Sequence, residues 1–201
     1  MNQLLEYLNY DSGFFIEAGA NDGIDQSYTH WLDSRGWKGL LIEPNATKLE
    51  QAKINRPNCI FENCALVSSS YKSDTIYGDF SHSDREKSLT AMVMDYGIFV
   101  DDKLIEEKNK RKSDIIEVPA KTLTELLMKH NITHIDFLSL DVEGYELSVL
   151  NGLNFSMYRP KYMLIEVFVN TERERTLVEF IESQNYKSLK LVDHNRLFER
   201  L

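Results

Sequence analysis

Apolar residues in this chain come in short runs separated by amphipathic stretches, and the runs end on polar residues of a recurring kind. Phe14, Phe15 and Ile16 read as the last half of a buried strand, followed by Glu17 and a polar turn bracketed by glycines, Gly19-Ala20-Asn21-Asp22-Gly23. Ile24, Tyr28, Trp31 and Leu32 then fall at helical spacing. They predict a helix that starts directly after the turn and ends near Arg35-Gly36, with Gly36 as a left-handed cap. Residues 39–42 predict a second strand ending at Glu43-Pro44-Asn45, and 46–55 a helix broken by Arg56-Pro57-Asn58. Residues 60–62 predict a third strand ending at Asn63-Cys64-Ala65. Upstream, Leu4, Leu5 and Leu8 predict a short amphipathic helix over residues 2–10, covering one sheet face.

The rhythm fails between Ser68 and about Glu117, a polar stretch without clear alternation. A segment this long inside a compact domain is usually functional, so it reads as an insertion beside a ligand crevice. Its basic cluster, Lys108, Lys110, Arg111 and Lys112, reads as a solvated helix end. Rhythm returns at Val118-Pro119, and Thr122-Leu123-Thr124-Glu125 has the form of a capping box opening a helix. Residues 134–140 predict a fourth strand ending at Asp141-Val142-Glu143-Gly144, followed by a helix over 145–151 that stops at Gly152. Residues 162–169 predict a fifth strand carrying Glu166, and Thr171 caps a further helix using Leu177, Phe180 and Ile181. Two strands, 186–192 and 196–201, close the chain as a hairpin.

Alternation of this kind implies a single α/β domain of Rossmann-like form: a mostly parallel seven-stranded sheet, helices on both faces, and an antiparallel terminal strand. Ligands in such sheets sit beyond the carboxyl ends of the strands. Here those ends carry Glu17, Glu43, Asn63, Asp141 and the segment from Glu166 to Val169.

Composition narrows the ligand. A length of 201 residues suits one well-buried core. The net charge of −9 argues against a general nucleic-acid binder. With no secretory leader and no apolar run of spanning length, the cytoplasm is the expected compartment, with peripheral membrane association left open. Cys59 and Cys64, five apart, read as small buried residues rather than a disulfide or metal clip.

The glycine turn lacks the dinucleotide spacing, since Asn21 stands where the middle glycine would be. Glu17, Asp22 and Asp25 would repel a diphosphate there. A cationic adenosyl sulfonium suits them better, its amino-acid tail meeting backbone N–H groups and the Gln26-Ser27 pair at the helix start. Glu43, at the end of the second strand, can accept the two ribose hydroxyls. Asn63, Cys64 and Ala65 would lie against the adenine.

The blocks EAGANDG, RGWKGLLIEPN, ENCAL and DFLSLDVEGYELSVLNG, in that order, resemble those of FkbM-type methyltransferases. The resemblance spans roughly residues 12–170 and implies the class I methyltransferase fold with S-adenosyl-L-methionine as cofactor. By position it implies a cofactor site of Glu17, Gly19, Ala20, Asn21, Asp22, Gly23, Gln26, Ser27, Glu43, Pro44, Asn63, Cys64, Ala65 and Asp141. Ser139 departs from it, since many relatives have lysine there.

Asp141 would stand near the transferred methyl. Asp141 and Glu143 are the leading bases for a hydroxyl acceptor, and would face one side if the strand ran on through them. Only then could they hold a divalent cation, and no metal is expected. Glu143 has helix capping as its alternative role. His82, in the insertion, is a further catalytic candidate, and Tyr77, Phe80 and Tyr96 would form a sugar-stacking wall. The resemblance implies O-methylation of a sugar or glycan hydroxyl. A nicotinamide-linked oxidoreductase and a non-catalytic adenosyl-binding module are the competing readings.

Overall fold

The computed structural model describes residues 3–80 and 115–201. His82, Tyr96 and the basic cluster at 108–112 lie outside the described residues. The strands are β1 Phe14–Ala18, β2 Lys38–Ile42, β3 Ile60–Glu62, β4 Ala65–Leu66, β5 Thr75–Asp79, β6 Ile115–Lys121, β7 Phe137–Leu140, β8 Tyr162–Glu166, β9 Tyr186–Val192 and β10 Asn195–Arg200. The helices are α1 His30–Asp33, α2 Ala46–Asn55, α3 Leu123–Lys129, α4 Glu146–Asn151 and α5 Glu172–Ser183.

Seven strands form one sheet in the order β3-β2-β1-β7-β8-β10-β9. The pairs β1–β2, β1–β7, β2–β3 and β7–β8 are parallel, and β10 runs antiparallel to both β8 and β9. Successive side chains of a strand point to opposite faces, and both faces here are buried. On one face Ile16, Leu40, Leu138 and Met163 pack with Leu123, Leu126 and Leu127 of α3 and with Leu177 and Ile181 of α5. On the other, Phe15, Leu41, Phe137 and Leu164 pack with Leu4, Leu8, Leu32, Trp37 and Ala52. This is why the central strands are continuous apolar runs.

Several sequence expectations are corrected. Residues 24–29 are not helical, and only His30–Asp33 forms the helix expected from Ile24 onward; Ile24 is 46% exposed. Residues 3–7 form a turn rather than a helix, although Leu4 and Leu8 still cover the sheet face. The stretch from 68 to 117 holds regular structure: β5 and β6 pair antiparallel, and β4 joins β6 to make a second, three-stranded sheet. That sheet has its own small core of Ala65, Val67, Ile76, Val118 and Ala120. Strand β7 ends at Leu140 as expected but starts later, at Phe137, and β8 ends earlier than expected, at Glu166. The capping box of α3 is present in full, Thr122 and Glu125 bonding reciprocally, and Gly36 takes the left-handed conformation expected of it (φ +88°).

Candidate active site

Strands β1 and β7 are neighbours, while the chain leaves β1 toward β2 on the opposite side. The two halves of the sheet therefore diverge at this point, and the loops beyond the strand ends leave a crevice. A cavity of about 900 Å³ opens there. Its floor is the rim predicted from sequence: Glu17 and Gly19 after β1, Glu43 after β2, Asp141 after β7 and Glu166 at the end of β8. Tyr28, Trp31, Phe80, Tyr145 and Phe168 contribute aromatic walls.

The loop after β1 is built around a buried carboxylate. Glu17 is only 4% exposed, and its oxygens accept from the hydroxyls of Ser27 (2.8 and 2.9 Å) and Thr29 (2.8 Å) and from the Tyr28 N–H (3.0 Å). Arg56, fully buried at the end of α2, completes the set with Nη1 3.0 Å from Glu17 Oε2. Burial pushes the Glu17 carboxyl up, and Arg56 with the hydroxyl and amide donors pulls it back. These bonds explain the missing helix. Asp22 Oδ1 accepts from Ile24 and Asp25 N–H, Gln26 adopts φ +59°, and Ser27 Oγ accepts from Thr29 and His30 N–H. The donors that a helix start would offer a ligand are spent within the loop.

Gly19 has a φ of +80°, and a Cβ there would sit 1.8 Å from the Asp141 carbonyl oxygen. The turn thus passes directly against the residue after β7, and Asp141 N–H donates to Ala18 O at 3.1 Å. Glu43, 6% exposed, accepts from Asn21 N–H at one oxygen and Asn45 N–H at the other, both at 2.9 Å. Asn63 donates to the carbonyls of Glu43 and Pro44, both at 2.9 Å, so it shapes the strand-end loop from outside the cavity lining. Asn45 also donates to the Phe80 carbonyl at 3.0 Å, tying this loop to the small sheet.

The acids after β7 divide their roles. The strand ends at Leu140 and Glu143 has φ +55°, so the alternation that would bring Asp141 and Glu143 to one side does not continue. Among the described residues no group of three or more His, Cys, Asp or Glu is arranged to hold a metal ion. The turn into α4 is held by Glu146, whose Oε1 accepts from Gly144 N–H (2.7 Å) and Val142 N–H (3.3 Å). Burial pushes Glu146 up to about 7, with the Asp141 charge adding and the amide donors opposing. Glu166 is pushed further, to about 9, by burial first and then by the charges of Asp141, Glu146 and Glu143.

Of the residues predicted from sequence, Glu17, Gly19, Asn21, Gln26, Ser27, Glu43, Pro44, Cys64, Ala65, Asp141 and Glu143 line the cavity. Ala20, Asp22, Gly23 and Asn63 support it from behind. Cys59 and Cys64 are both free, half-buried and buried respectively. Sequence reasoning missed Arg56, read only as a helix breaker, and it missed Tyr28 and Asn195 as site residues; it placed Glu166 on the ligand rim without giving it a role. Tyr28 Oη donates to Asp193 and accepts from Asn195, both at 3.1 Å, joining the loop after β1 to the turn between β9 and β10. The strand-end position of Glu166 was the signal available for it.

Several solved structures are similar in outline. A TehB-like SAM-dependent methyltransferase from Corynebacterium glutamicum has a TM-score of 0.46 at 10% identity, covering 99% of this chain and 86% of that one. A SAM-dependent methyltransferase from Methanosarcina mazei has a TM-score of 0.47 at 9% identity, covering 100% and 98%. One from Geobacter sulfurreducens, in complex with S-adenosyl-L-homocysteine, has a TM-score of 0.43 at 12% identity, covering 95% and 64%. No curated protein sequence matches the chain significantly. The family model for the methyltransferase FkbM domain matches residues 17–188, from the buried glutamate of the first strand into β9. The chain belongs to the FkbM methyltransferase family.

Proposed function

We propose that the protein transfers a methyl group from S-adenosyl-L-methionine to a hydroxyl of a sugar or glycan. The observation that carries the cofactor half is the pairing of Glu43 with the glycine turn. Its carboxylate, held by two backbone N–H groups at the end of β2, keeps lone pairs for the two ribose hydroxyls. The lining carries Asp25, Glu43, Asp141, Glu143 and Asp193 against Lys48 as its lysine or arginine among the described residues, Glu17 being paired with Arg56 and Glu166 holding a proton. Such a lining suits a sulfonium and an ammonium and opposes a diphosphate.

Asp141, after β7 and beside Gly19, is the residue for the methyl end, and Cys64 and Ala65 are small enough to lie along an adenine. Methyl transfer forms the new O–CH₃ bond as the S–CH₃ bond breaks, the electron pair leaving with sulfur. The chain's task is alignment, which supplies on the order of 7–11 kcal/mol, and removal of the hydroxyl proton. The aromatic walls suit the apolar faces of a sugar ring, and the acids suit its hydroxyls.

Calorimetric titration with S-adenosyl-L-methionine, S-adenosylhomocysteine and NAD tests the cofactor. The adenosyl ligands are expected to bind and NAD not to; binding of NAD alone would favour the oxidoreductase reading. A panel of methyl glycosides followed by mass spectrometry then tests the acceptor, a methyl ether being the expected product. Asp141→Ala is expected to keep S-adenosylhomocysteine binding and lose turnover. Unchanged turnover would remove Asp141 from the reaction.

A further inference from the structure

Glu166 is the last residue of β8, in the strand next to β7, and its side chain lines both the main cavity and a second cavity of about 570 Å³ beside α5. Asp141 follows Leu140, the register partner of Ile165, so the two carboxyls stand side by side beyond the ends of neighbouring strands, within hydrogen-bonding reach. Glu166 Oε2 is buried and is the one such side-chain atom without a hydrogen-bond partner among the described residues. A buried polar atom left unpaired is costly, and calls for a ligand or a function. Two carboxyls in hydrogen-bond contact cannot both be ionised at low cost, so one proton must lie between them.

We propose that Glu166 and Asp141 share one proton and form a relay at the acceptor side of the cavity, Glu166 receiving the acceptor's hydroxyl proton through its cavity-facing oxygen while the buried Oε2 stays out of the acceptor's reach. The inference rests on the methyl-transfer reading above. As the acceptor oxygen bonds to the methyl carbon, the S–CH₃ electron pair passes to sulfur and the hydroxyl proton moves to the cavity-facing oxygen of Glu166. The proton already held between the two carboxyls moves onto Asp141. One negative charge is lost from the dyad and one positive charge from the sulfonium, so the step balances. A relay of this form does not require Glu166 to be a strong base, only to exchange one proton for another.

The surroundings keep the proton in place. Asp141 and Glu143 face Glu166 from the loop after β7, and Glu146 from α4. Asn195 of β10 is its register partner, and Asp193 and His194 of the adjoining turn share the cavity lining. Arg173 of α5 lines the smaller cavity, but its guanidinium lies over the Phe168 ring at 4.9 Å and donates to the Gly144 carbonyl.

Carboxyl-carbon NMR titration of the ¹³C-labelled protein decides the shared proton. One glutamate carbon is expected to titrate near about 9, to vanish in Glu166→Gln, and to move down in Asp141→Asn. The proposal is overturned if no carboxyl titrates above the range of Glu146, about 7, or if the high transition survives in Glu166→Gln. Should Glu166→Gln not fold, the wild type and Asp141→Asn decide alone. S-adenosylhomocysteine calorimetry on the same samples separates the two levels, since failure of the wild type to bind removes the methyl-transfer reading and leaves the titration readable. With an acceptor from the glycoside panel, Glu166→Gln is expected to lose ~10²–10⁴-fold in kcat, as for loss of a general base, while keeping S-adenosylhomocysteine affinity. An unchanged kcat overturns the relay.

Discussion

Arg56 and Glu17 meet in the interior at 3.0 Å, with exposures of 0% and 5% for the two side chains. Removing the cation leaves a carboxylate buried among hydroxyls with no counter-charge. Arg56→Met is therefore expected to destabilise the fold by about 3–5 kcal/mol, measured by urea unfolding. Adding Glu17→Gln should restore a good part of that loss, because the orphaned charge is gone. Glu43 lies at the ligand face instead, and its carboxylate already takes two amide donors. Glu43→Gln should fold and weaken S-adenosylhomocysteine binding by ~10–100-fold, the range for charge-assisted hydrogen bonds of about 1.5–3 kcal/mol; an unchanged affinity in calorimetry would take Glu43 out of the ribose contact. The two glutamates look alike in sequence, each closing an apolar run. Their difference was not legible there, because it depends on Arg56 arriving from α2, 39 residues downstream of Glu17.

At the level of elements, apolar periodicity located the strands well because burial on both faces leaves little freedom in a central strand. It failed after Gly23. Ile24, Tyr28, Trp31 and Leu32 have helical spacing, yet the N–H groups of Ile24, Asp25, Tyr28, Thr29 and His30 find side-chain acceptors in Asp22, Glu17 and Ser27 first. Local side-chain acceptors compete with helix formation, and a buried carboxylate adds long-range weight to that competition. The same turn provides a paired test. Gly19→Ala places a methyl on the Asp141 carbonyl and should abolish both folding stability and ligand binding. Gly36→Ala shares a positive φ but meets nothing within 4 Å, so thermal unfolding should register only the backbone cost of about 1–2 kcal/mol.

For the molecule as a whole, the raised acids set how stability varies with pH. Glu146 and Glu166 bind protons more tightly folded than unfolded, so their contribution is complete below the unfolded glutamate value of about 4.3. It is lost as pH rises through about 7 and then about 9. The lowered carboxyls Glu62, Glu125 and Glu174 act in the opposite sense and only on the acid side. Circular dichroism should therefore show Tm falling from about pH 5 to about pH 9, with Glu166→Gln flattening the upper part of that slope.

The small sheet bears on how this family could change its substrates. Asp79, ending β5, stands opposite Ile115, beginning β6, as register partners across an antiparallel pair. Whatever chain lies between them departs from and returns to one point, held to the cofactor side by Asn45 on the Phe80 carbonyl. Closing a longer or shorter loop across such a junction changes the entropy cost only slowly with length. We expect the junction to tolerate exchange of the segment it closes. Replacing residues 82–113 by a tight hairpin turn should leave S-adenosylhomocysteine binding intact while altering which acceptors are used. Acceptor choice could then diversify between relatives by swapping one segment, with the machinery that holds the methyl donor inherited unchanged.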